Sequence, residues 1–370
     1  MDPRPARPLP AAELHVHIEG TFEPELMLQI ASRNGIGVPI LDAAELRAQY
    51  RFGDLQSFLD LYYANLSVLR AEQDFYDLAS AYLARAAAAG VRRAEIFLDP
   101  QTHLANGIPL EVVFGGLSAA LAAAARDHQI SSGLIPCFLR DLGPEAADAT
   151  LTACLPFRDQ FIGVGLDSAE VGYPPSLFTA VYQRAAAQGL RLVAHAGEEG
   201  GPEYVHEALD DLRVERVDHG VRSMEDPELV ARLRDQRIAL TVCPLSNVAL
   251  RVVDTLADHA LPAMREADLL ACVNSDDPAY FGGYLDDNLA AVQRAFGYGD
   301  AAMAALARDS FDACFAPDAD KQRWKAEVDT WLAARPQPSA RPQTPSAPKP
   351  PSAPSLPPAP KPPPAPRLKA

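Results

Sequence analysis

The sequence predicts an α/β protein in which eight parallel strands close into a (β/α)8 TIM barrel. Short β-rich runs alternate with longer stretches of helical periodicity that are rich in Ala, Leu and Arg. Regular alternation of strand and helix is typical of parallel sheets, and eight repeats are the number that this barrel requires. The predicted strands are residues 13–17, 93–98, 133–139, 161–166, 190–195, 214–219, 237–243 and 270–274.

Helical patterns lie between these runs, among them residues 74–89, 110–128, 176–188 and 226–236. The first two strands are separated by a long segment with further helical patterns at residues 24–34 and 55–69, and we expect this segment to cap the C-terminal face of the barrel. A doubly wound open sheet is the alternative fold. It is disfavoured because the sequence contains neither G-x-G-x-x-G nor G-x-x-x-x-G-K-[ST].

Composition and charge exclude several classes of partner. The chain has 370 residues, 48% of them hydrophobic, and a formal net charge of −16. An acidic protein is a poor match for the nucleic-acid backbone or an anionic membrane surface, so we expect neither as a partner. The first ten residues lack the apolar core of a secretory signal, and five scattered cysteines without C-x-x-C spacing are typical of buried thiols. We therefore expect a cytoplasmic protein; the sequence leaves its oligomeric state open.

The C-terminal segment, residues 336–370, differs in composition from the rest. It holds 15 prolines and five Lys or Arg residues, with no acidic residue. Such a segment buries too little apolar surface to offset the entropy of ordering it. We therefore expect one catalytic domain, residues 1–335, followed by a disordered proline-rich tail that is either functionless or a ligand for a proline-binding module.

Residues able to do chemistry follow the ends of the predicted strands. In a parallel barrel all carboxyl ends open on the same face, where active sites are built. The residues at these ends are His15 and His17, Asp99, Asp167, His195 with Glu198 three residues on, His219, and the pair Asp276 and Asp277.

The H-x-H pattern indicates a metal site. Residues i and i+2 of a strand point to the same side, so His15 and His17 present two imidazoles together. A third imidazole at His195 and a carboxylate at Asp276 complete a set of three nitrogens and one oxygen. That set suits one catalytic Zn²⁺ with space for a water, whose pKa zinc lowers towards about 7.

Three further residues are candidates for catalysis or binding. If hydroxide adds to an electron-poor ring carbon, the adjacent ring nitrogen must gain a proton, and Glu198 in the turn HAGEEG is placed to donate it. His219 is a candidate to orient the attacking hydroxide. Asp277 is a candidate to exchange a hydrogen bond with the substrate ring.

These motifs resemble the adenosine/adenine deaminase family of metal-dependent hydrolases. The matching segments, in order, are ELHVHIEG at 13–20, HAGEEG at 195–200, DHG at 218–220, CPLSN at 243–247 and NSDDPAYFGGY at 274–284. The resemblance covers residues 10–316 and leaves the tail outside. It implies zinc bound by His15, His17, His195 and Asp276, Glu198 as proton donor, His219 beside the attacking hydroxide, and Asp277 at the base.

Within the family the sequence is most similar to the adenine deaminase branch. The features are HIEG at 17–20, FLDPQTH at 97–103 and GLDSAEVG at 165–172. This likeness implies conversion of adenine and water to hypoxanthine and ammonia in purine salvage. Three positions depart from the pattern of that branch, namely Asn106, Asp141 and Tyr173, and because each follows a strand we expect them near the pocket rim.

Other functions remain open. Deamination of adenosine or of a 6-substituted adenine is the first alternative. Relatives with two bridged metals carry a carbamylated lysine, which the absence of Lys before residue 321 disfavours. A catalytically inactive purine-binding relative is an alternative of another class, and it is disfavoured because every predicted metal and catalytic residue is present. The H-x-E…P-C-x-x-C signature of nucleic-acid editing deaminases is absent.

Overall fold

Eight parallel strands form one sheet whose spatial order follows the chain. The computed structural model describes residues 8–53 and 55–335, so the predicted tail, residues 336–370, lies outside the described residues. The barrel prediction is confirmed. The strands are β1 Ala11–His17, β2 Val91–Leu98, β3 Ser131–Leu139, β4 Gly163–Asp167, β5 Arg191–Ala196, β6 Arg216–His219, β7 Ala239–Val242 and β8 Leu270–Val273.

Helices surround the sheet and connect its strands. Between β1 and β2 lie α1 Pro24–Arg33, α2 Ala43–Ala48, α3 Leu55–Leu66 and α4 Glu72–Ala89. Between β2 and β8 lie α5 Pro100–Ala105, α6 Leu110–Asp127, α7 Pro144–Cys154, α8 Thr179–Ala187, α9 Pro202–Glu207, α10 Pro227–Gln236, α11 Pro244–Ala249 and α12 Leu261–Glu266. After β8 follow α13 Pro278–Phe281, α14 Leu285–Phe296, α15 Asp300–Ala313 and α16 Asp318–Ala333.

The barrel closes between β1 and the residues that follow β8. The N–H of His17 donates to the carbonyl of Asp276 at 3.0 Å, and the N–H of Asp276 donates to the carbonyl of His15 at 3.0 Å. Helix α15 covers this junction, where Ser310 Oγ accepts the N–H of Ala12 at 2.8 Å. Three of the predicted metal ligands therefore lie at the point where the first and last strands meet.

Strand and helix boundaries differ from the predicted ones by a few residues, for local reasons. Arg237 has φ +53° and ends α10, so β7 begins at Ala239 rather than at residue 237. Phe161 makes only an isolated bridge, and β4 begins at Gly163. Prolines at 174 and 175 open a 3₁₀ turn, which delays α8 to Thr179.

A buried ion pair occupies the interior of the barrel below the strand ends. Arg216 on β6 donates to Glu95 on β2 at 2.5 Å and to the carbonyl of Leu14 at 3.1 Å. Both charged side chains are 0% exposed. Burying two charges is costly unless they satisfy each other, so this pair depends on both partners being present. Among residues 8–53 and 55–335, no helix is both long enough and apolar enough to span a membrane.

Candidate active site

A cleft of about 430 Å³, including its open mouth, lies at the carboxyl ends of the strands. Its floor is lined by polar residues at or just after the ends of β1, β2, β4, β5, β6 and β8: His17, Asp99, Asp167, Ser168, His195, Glu198, His219, Asp276 and Asp277. Its roof is supplied by α3, through Leu55, Phe58, Leu59, Tyr62 and Tyr63. The prediction that the segment after β1 caps this face is therefore confirmed.

The three imidazoles and the carboxylate predicted as metal ligands converge below the cleft. His17 Nε2 lies 3.2 Å from His195 Nε2, and Asp276 Oδ1 lies 3.2 Å from His15 Nε2 and 3.5 Å from His17 Nε2. His219 joins the cluster, since ligand atoms of His15, His195, His219 and Asp276 all lie within 4.8 Å of one another.

The protonation state of these imidazoles suits a metal. Burial lowers the pKa of His17 to about 4 and that of His219 to about 3, and it holds the pKa of His195 well below its ordinary value. The rings are thus neutral near pH 7, the form that ligates metals. The Nε2 atoms of neutral His17 and His195 lie 3.2 Å apart, beside a buried carboxylate. A cation between them would attract the lone pairs of all these groups.

Hydrogen bonds below the cluster set the tautomer of His15. Its Nδ1 donates to Thr241 Oγ1 at 3.0 Å, and that hydroxyl donates to Asp218 Oδ1 at 2.8 Å. The Nε2 of His15 then carries the free lone pair, and it makes no hydrogen bond within the described structure. Such outer partners fix the direction and basicity of a ligating imidazole. Sequence reasoning missed Thr241 and Asp218, although both lie on strands.

Unusual backbone conformations position two of the site residues. His219 has φ +62° and Asp276 has φ +67°, a region that residues other than glycine seldom occupy. Strain of this kind persists only where surrounding contacts enforce it, and it concentrates at functional sites. For Asp276 those contacts are the two backbone hydrogen bonds that close the barrel.

Glu198, the predicted proton donor, lies in the cleft, and the residue as a whole is 7% exposed. Burial raises its pKa well above the ordinary value, and the negative charges of Asp276 and Glu170 raise it further. This environment favours the protonated form of the carboxyl group. Its Oε2 lies 3.4 Å from His219 Nε2.

A directed chain of hydrogen bonds reaches the other oxygen of Glu198. The N–H of Leu261 donates to His259 Nδ1 at 3.0 Å, and burial lowers the pKa of His259 to about 4. Neutral His259 therefore carries its hydrogen on Nε2 and donates to Asn247 Oδ1 at 3.1 Å. The Asn247 amide nitrogen then faces Glu198 Oε1 at 3.4 Å. Glu198 Oε1 is therefore the acceptor at the end of this series of hydrogen bonds, which leaves Glu198 Oε2 to carry the proton.

Asp277, the predicted contact to the base, is also buried beside the cleft. Burial raises the pKa of Asp277 well above its ordinary value, as does the adjacent Asp276. A protonated Asp277 can donate a hydrogen bond to a ring nitrogen, and its Oδ1 has no hydrogen-bond partner in the described chain. Gly20 approaches it so closely that a Cβ at position 20 would lie 1.9 Å from Asp277 Oδ1.

Asp99 and Asp167 form a second acidic pair on the opposite side of His17, with ligand atoms of all three residues within 4.8 Å of one another. Burial raises the pKa of Asp167 to about 7 and that of Asp99 well above its ordinary value. Sequence patterns predict both residues at strand ends but indicate no role for either. Glu19 does not line the cleft; its Oε1 accepts the N–H of Asp99 at 3.0 Å and bonds His103 Nε2 at 2.8 Å.

None of the three positions that depart from the adenine deaminase pattern lines the cleft itself, and their place near its rim stays a prediction; the charge of Asp141 does raise the pKa of Asp167 and of Tyr63, which line the cleft. Asn106 follows α5, and its carbonyl accepts from Arg70. Asp141 is exposed in the 3₁₀ turn after β3. The carbonyl of Tyr173 accepts from Arg140 Nε at 2.9 Å, an ordinary backbone role that any side chain permits.

The barrel, with its imidazole–carboxylate cluster at the strand ends, defines a metal-dependent amidohydrolase. The model of the adenosine deaminase family matches residues 10–331, which is most of the chain. The chain belongs to the adenosine deaminase family.

Individual relatives are similar over nearly their whole length. An adenine deaminase from Streptomyces coelicolor is 60% identical over 88% of this chain and 96% of its own. The crystal structure of an adenine deaminase from Arthrobacter aurescens is 54% identical in sequence and has a TM-score of 0.87. The match covers 88% of this chain and 100% of that one. An amidohydrolase from Burkholderia ambifaria, solved with bound Zn, is 30% identical with a TM-score of 0.80, over 88% of this chain and 93% of its own.

Proposed function

We propose that this enzyme hydrolyses adenine to hypoxanthine and ammonia, with one Zn²⁺ per chain as cofactor. The observation that carries the proposal is the position of a buried carboxyl group, Glu198, in the same cleft as the imidazole–carboxylate cluster. Hydrolytic deamination of a 6-aminopurine needs both an activated water and a proton for the ring. The similarity to the adenine deaminases of Streptomyces coelicolor and Arthrobacter aurescens supports adenine as the substrate.

We assign the metal to His15, His17, His195 and Asp276. The facing Nε2 atoms of His17 and His195, and the Asp276 carboxylate beside the Nε2 atoms of His15 and His17, support this set. His219 is left for catalysis because its Nε2 also faces Glu198 Oε2. A Zn²⁺ held by these four residues would make hydroxide available near neutral pH. The zinc in the Burkholderia ambifaria structure supports the choice of metal.

The remaining residues bind the base and move protons. Glu198 donates its proton to the ring nitrogen beside the attacked carbon, which makes that carbon more electrophilic. Neutral His219 can take a proton from the attacking water or orient it, since its Nε2 faces the cleft beside Glu198. Protonated Asp277 donates a hydrogen bond to the imidazole part of the purine, which fixes the orientation of the base. The α3 roof limits the access of bulk water.

A substrate panel tests the proposal. Steady-state kinetics on adenine, adenosine and one 6-substituted adenine, followed by the loss of the adenine absorbance band, would be measured alongside elemental analysis of the purified enzyme. We expect kcat/KM to be highest for adenine and zinc to be present at about one per chain. A higher kcat/KM for adenosine or the substituted base would overturn the substrate assignment, and active protein without metal would overturn the mechanism.

We also propose a cytoplasmic location. The five cysteines, which the structure places in the described part of the chain, are all buried with free thiols. Buried free thiols are typical of proteins that work in a reducing compartment.

A further inference from the structure

The loop after β5 wraps around one internal carboxylate. Four consecutive backbone N–H groups donate to Glu170: Gly197 to Oε1 at 2.6 Å, and Glu198, Glu199 and Gly200 to Oε2 at 3.1, 2.8 and 2.9 Å. Successive amides that converge on an anion form a nest, which is a strong recognition geometry for a negative group. Here the anion is a side chain of the same protein.

The residues around Glu170 favour its contact with the loop. The side chain is buried, in the segment between β4 and α8, about 30 residues before the loop that it binds. At Gly200 a Cβ would lie 2.8 Å from Glu170 Oε1 and 2.7 Å from the ring of Tyr204, so no larger residue fits there. Buried Arg140 adds positive charge nearby, and it also donates to the carbonyl of His195 at 2.8 Å. The backbone of the loop is thus held from both sides.

The side chain of Glu198, in contrast, has weak support. Its contacts to Asn247 Nδ2 and to His219 Nε2 are each 3.4 Å long. A hydrogen bond of that length constrains a flexible side chain only weakly. The position of the Glu198 carboxyl group therefore depends mainly on where its backbone is held, and the hydrogen bonds to Glu170 hold it.

We propose that Glu170 is a positioning residue for proton transfer: it anchors the backbone of residues 197–200 so that the carboxyl group of Glu198 meets the substrate. This inference rests on the proposed function and deepens it. Displacing a catalytic group by about 1 Å lowers turnover by orders of magnitude without removing the group itself. Loss of the Glu170 anchor should therefore lower kcat and leave KM and the metal in place.

The chemistry of the nest requires a carboxylate. Glutamine at position 170 keeps one oxygen acceptor, but it turns an NH₂ donor towards N–H donors that need an acceptor. Aspartate keeps both acceptors on a side chain that is one methylene shorter. Glu170→Gln should therefore be more damaging than Glu170→Asp, although glutamine is the closer match in size. That order is the reverse of what a role in packing would give.

The test compares Glu170→Gln and Glu170→Asp with a matched control, Glu207→Gln, which alters an exposed carboxylate that accepts a single backbone N–H, from Ser176. We expect Glu170→Gln to lower kcat on adenine about 100-fold with KM and zinc content nearly unchanged, Glu170→Asp to be intermediate, and the control to stay within about twofold. Hydrogen exchange at the amides of residues 197–200 should be faster in both Glu170 variants. Glu170→Asp and the exchange measurement carry the test if Glu170→Gln fails to fold.

A double-mutant cycle separates positioning from general damage. When Glu170→Gln is added to the Glu198→Gln variant, kcat should fall by less than about threefold, because the group that Glu170 positions is already absent. An equal loss of kcat in both backgrounds would overturn the proposal, as would unchanged turnover or unchanged amide exchange in Glu170→Gln. If wild-type protein does not turn over adenine, the proposed function fails, whereas amide exchange still decides whether Glu170 anchors the loop.

Discussion

Glu198 combines the two properties that a proton donor needs at neutral pH: a raised pKa and a place in the cleft. We expect Glu198→Gln to lower kcat on adenine by about 100- to 10,000-fold, because only the transferable proton is removed and the shape is kept. Steady-state kinetics with zinc analysis and product-binding calorimetry would measure this. Glu111→Gln, which changes an exposed acid on α6, is the control. Near-native turnover in Glu198→Gln would contradict the assigned role.

His259 allows a prediction about pH. Burial lowers its pKa to about 4 from an ordinary value of 6.5, so between these values the unfolded chain holds more protons than the folded protein. The free energy of unfolding should therefore rise with pH across pH 4 to 6.5, and this histidine contributes a slope of up to about 1.4 kcal/mol per pH unit. In His259→Gln that contribution is absent.

Urea denaturation of His259→Gln at pH 5 and pH 6, at a fixed zinc concentration, would measure the change in slope. His128→Gln is the control, because His128 is exposed at the end of α6. An unchanged slope in His259→Gln would show that the histidine does not need to be neutral in the folded protein.

The predicted site residues that lie close together in the structure share one property: they are chemically distinctive side chains at strand ends. His15, His17 and His195 could be predicted to converge because the barrel itself brings those ends together. Glu170 could not be assigned its role, since its partners are backbone amides that carry no side-chain signal. The role of Thr241 could not be predicted for a related reason: it depends on a hydrogen bond to Asp218, which the fold brings close to it.

At the level of elements, the site depends on the close approach of two connections. The turn after β1 carries Gly20 against Asp277, which follows β8. We expect Gly20→Ala to displace the Asp277 side chain and to lower kcat/KM on adenine by about 10- to 100-fold, with the fold intact. Kinetics and circular dichroism would test it. Gly37→Ala is a matched control, because a Cβ there meets nothing within 4 Å. Equal effects of the two changes would refute the close-contact argument.

The cap helix α3 shows what helical periodicity cannot predict. Helical periodicity identified α3, which ends at Leu66 rather than at residue 69, but periodicity does not say which face meets the barrel. In the structure Phe58 and Tyr62 of α3 pack against Tyr280 of α13, with ring centroids 5.5 and 5.7 Å from that of Tyr280. These aromatic contacts join the roof to the segment that carries Asp276 and Asp277. Only tertiary packing could reveal that connection.

For the whole molecule, stability depends on the ion pair inside the barrel. We expect Glu95→Gln to reduce the free energy of unfolding by up to about 3 to 5 kcal/mol, because the buried Arg216 loses its nearest carboxylate and keeps only Asp218, 3.7 Å from its Nε. Urea denaturation with zinc held constant would measure the loss, and kcat below the transition should be nearly unchanged. Glu111→Gln should stay within about 0.5 kcal/mol of wild type. A similarly small change in Glu95→Gln would show that the pair is replaceable.

The junction between β1 and the segment after β8 has a consequence for how the enzyme becomes active during synthesis. His15 and Asp276 are separated by most of the domain, yet they exchange the backbone hydrogen bond that completes the ring of strands. Contacts so distant in sequence form late, because the intervening chain must be ordered first. A nascent chain in which β8 and Asp276 are still inside the ribosome therefore lacks both the contact that closes the barrel and one of the residues assigned to the metal, so activity begins only after the last strand docks.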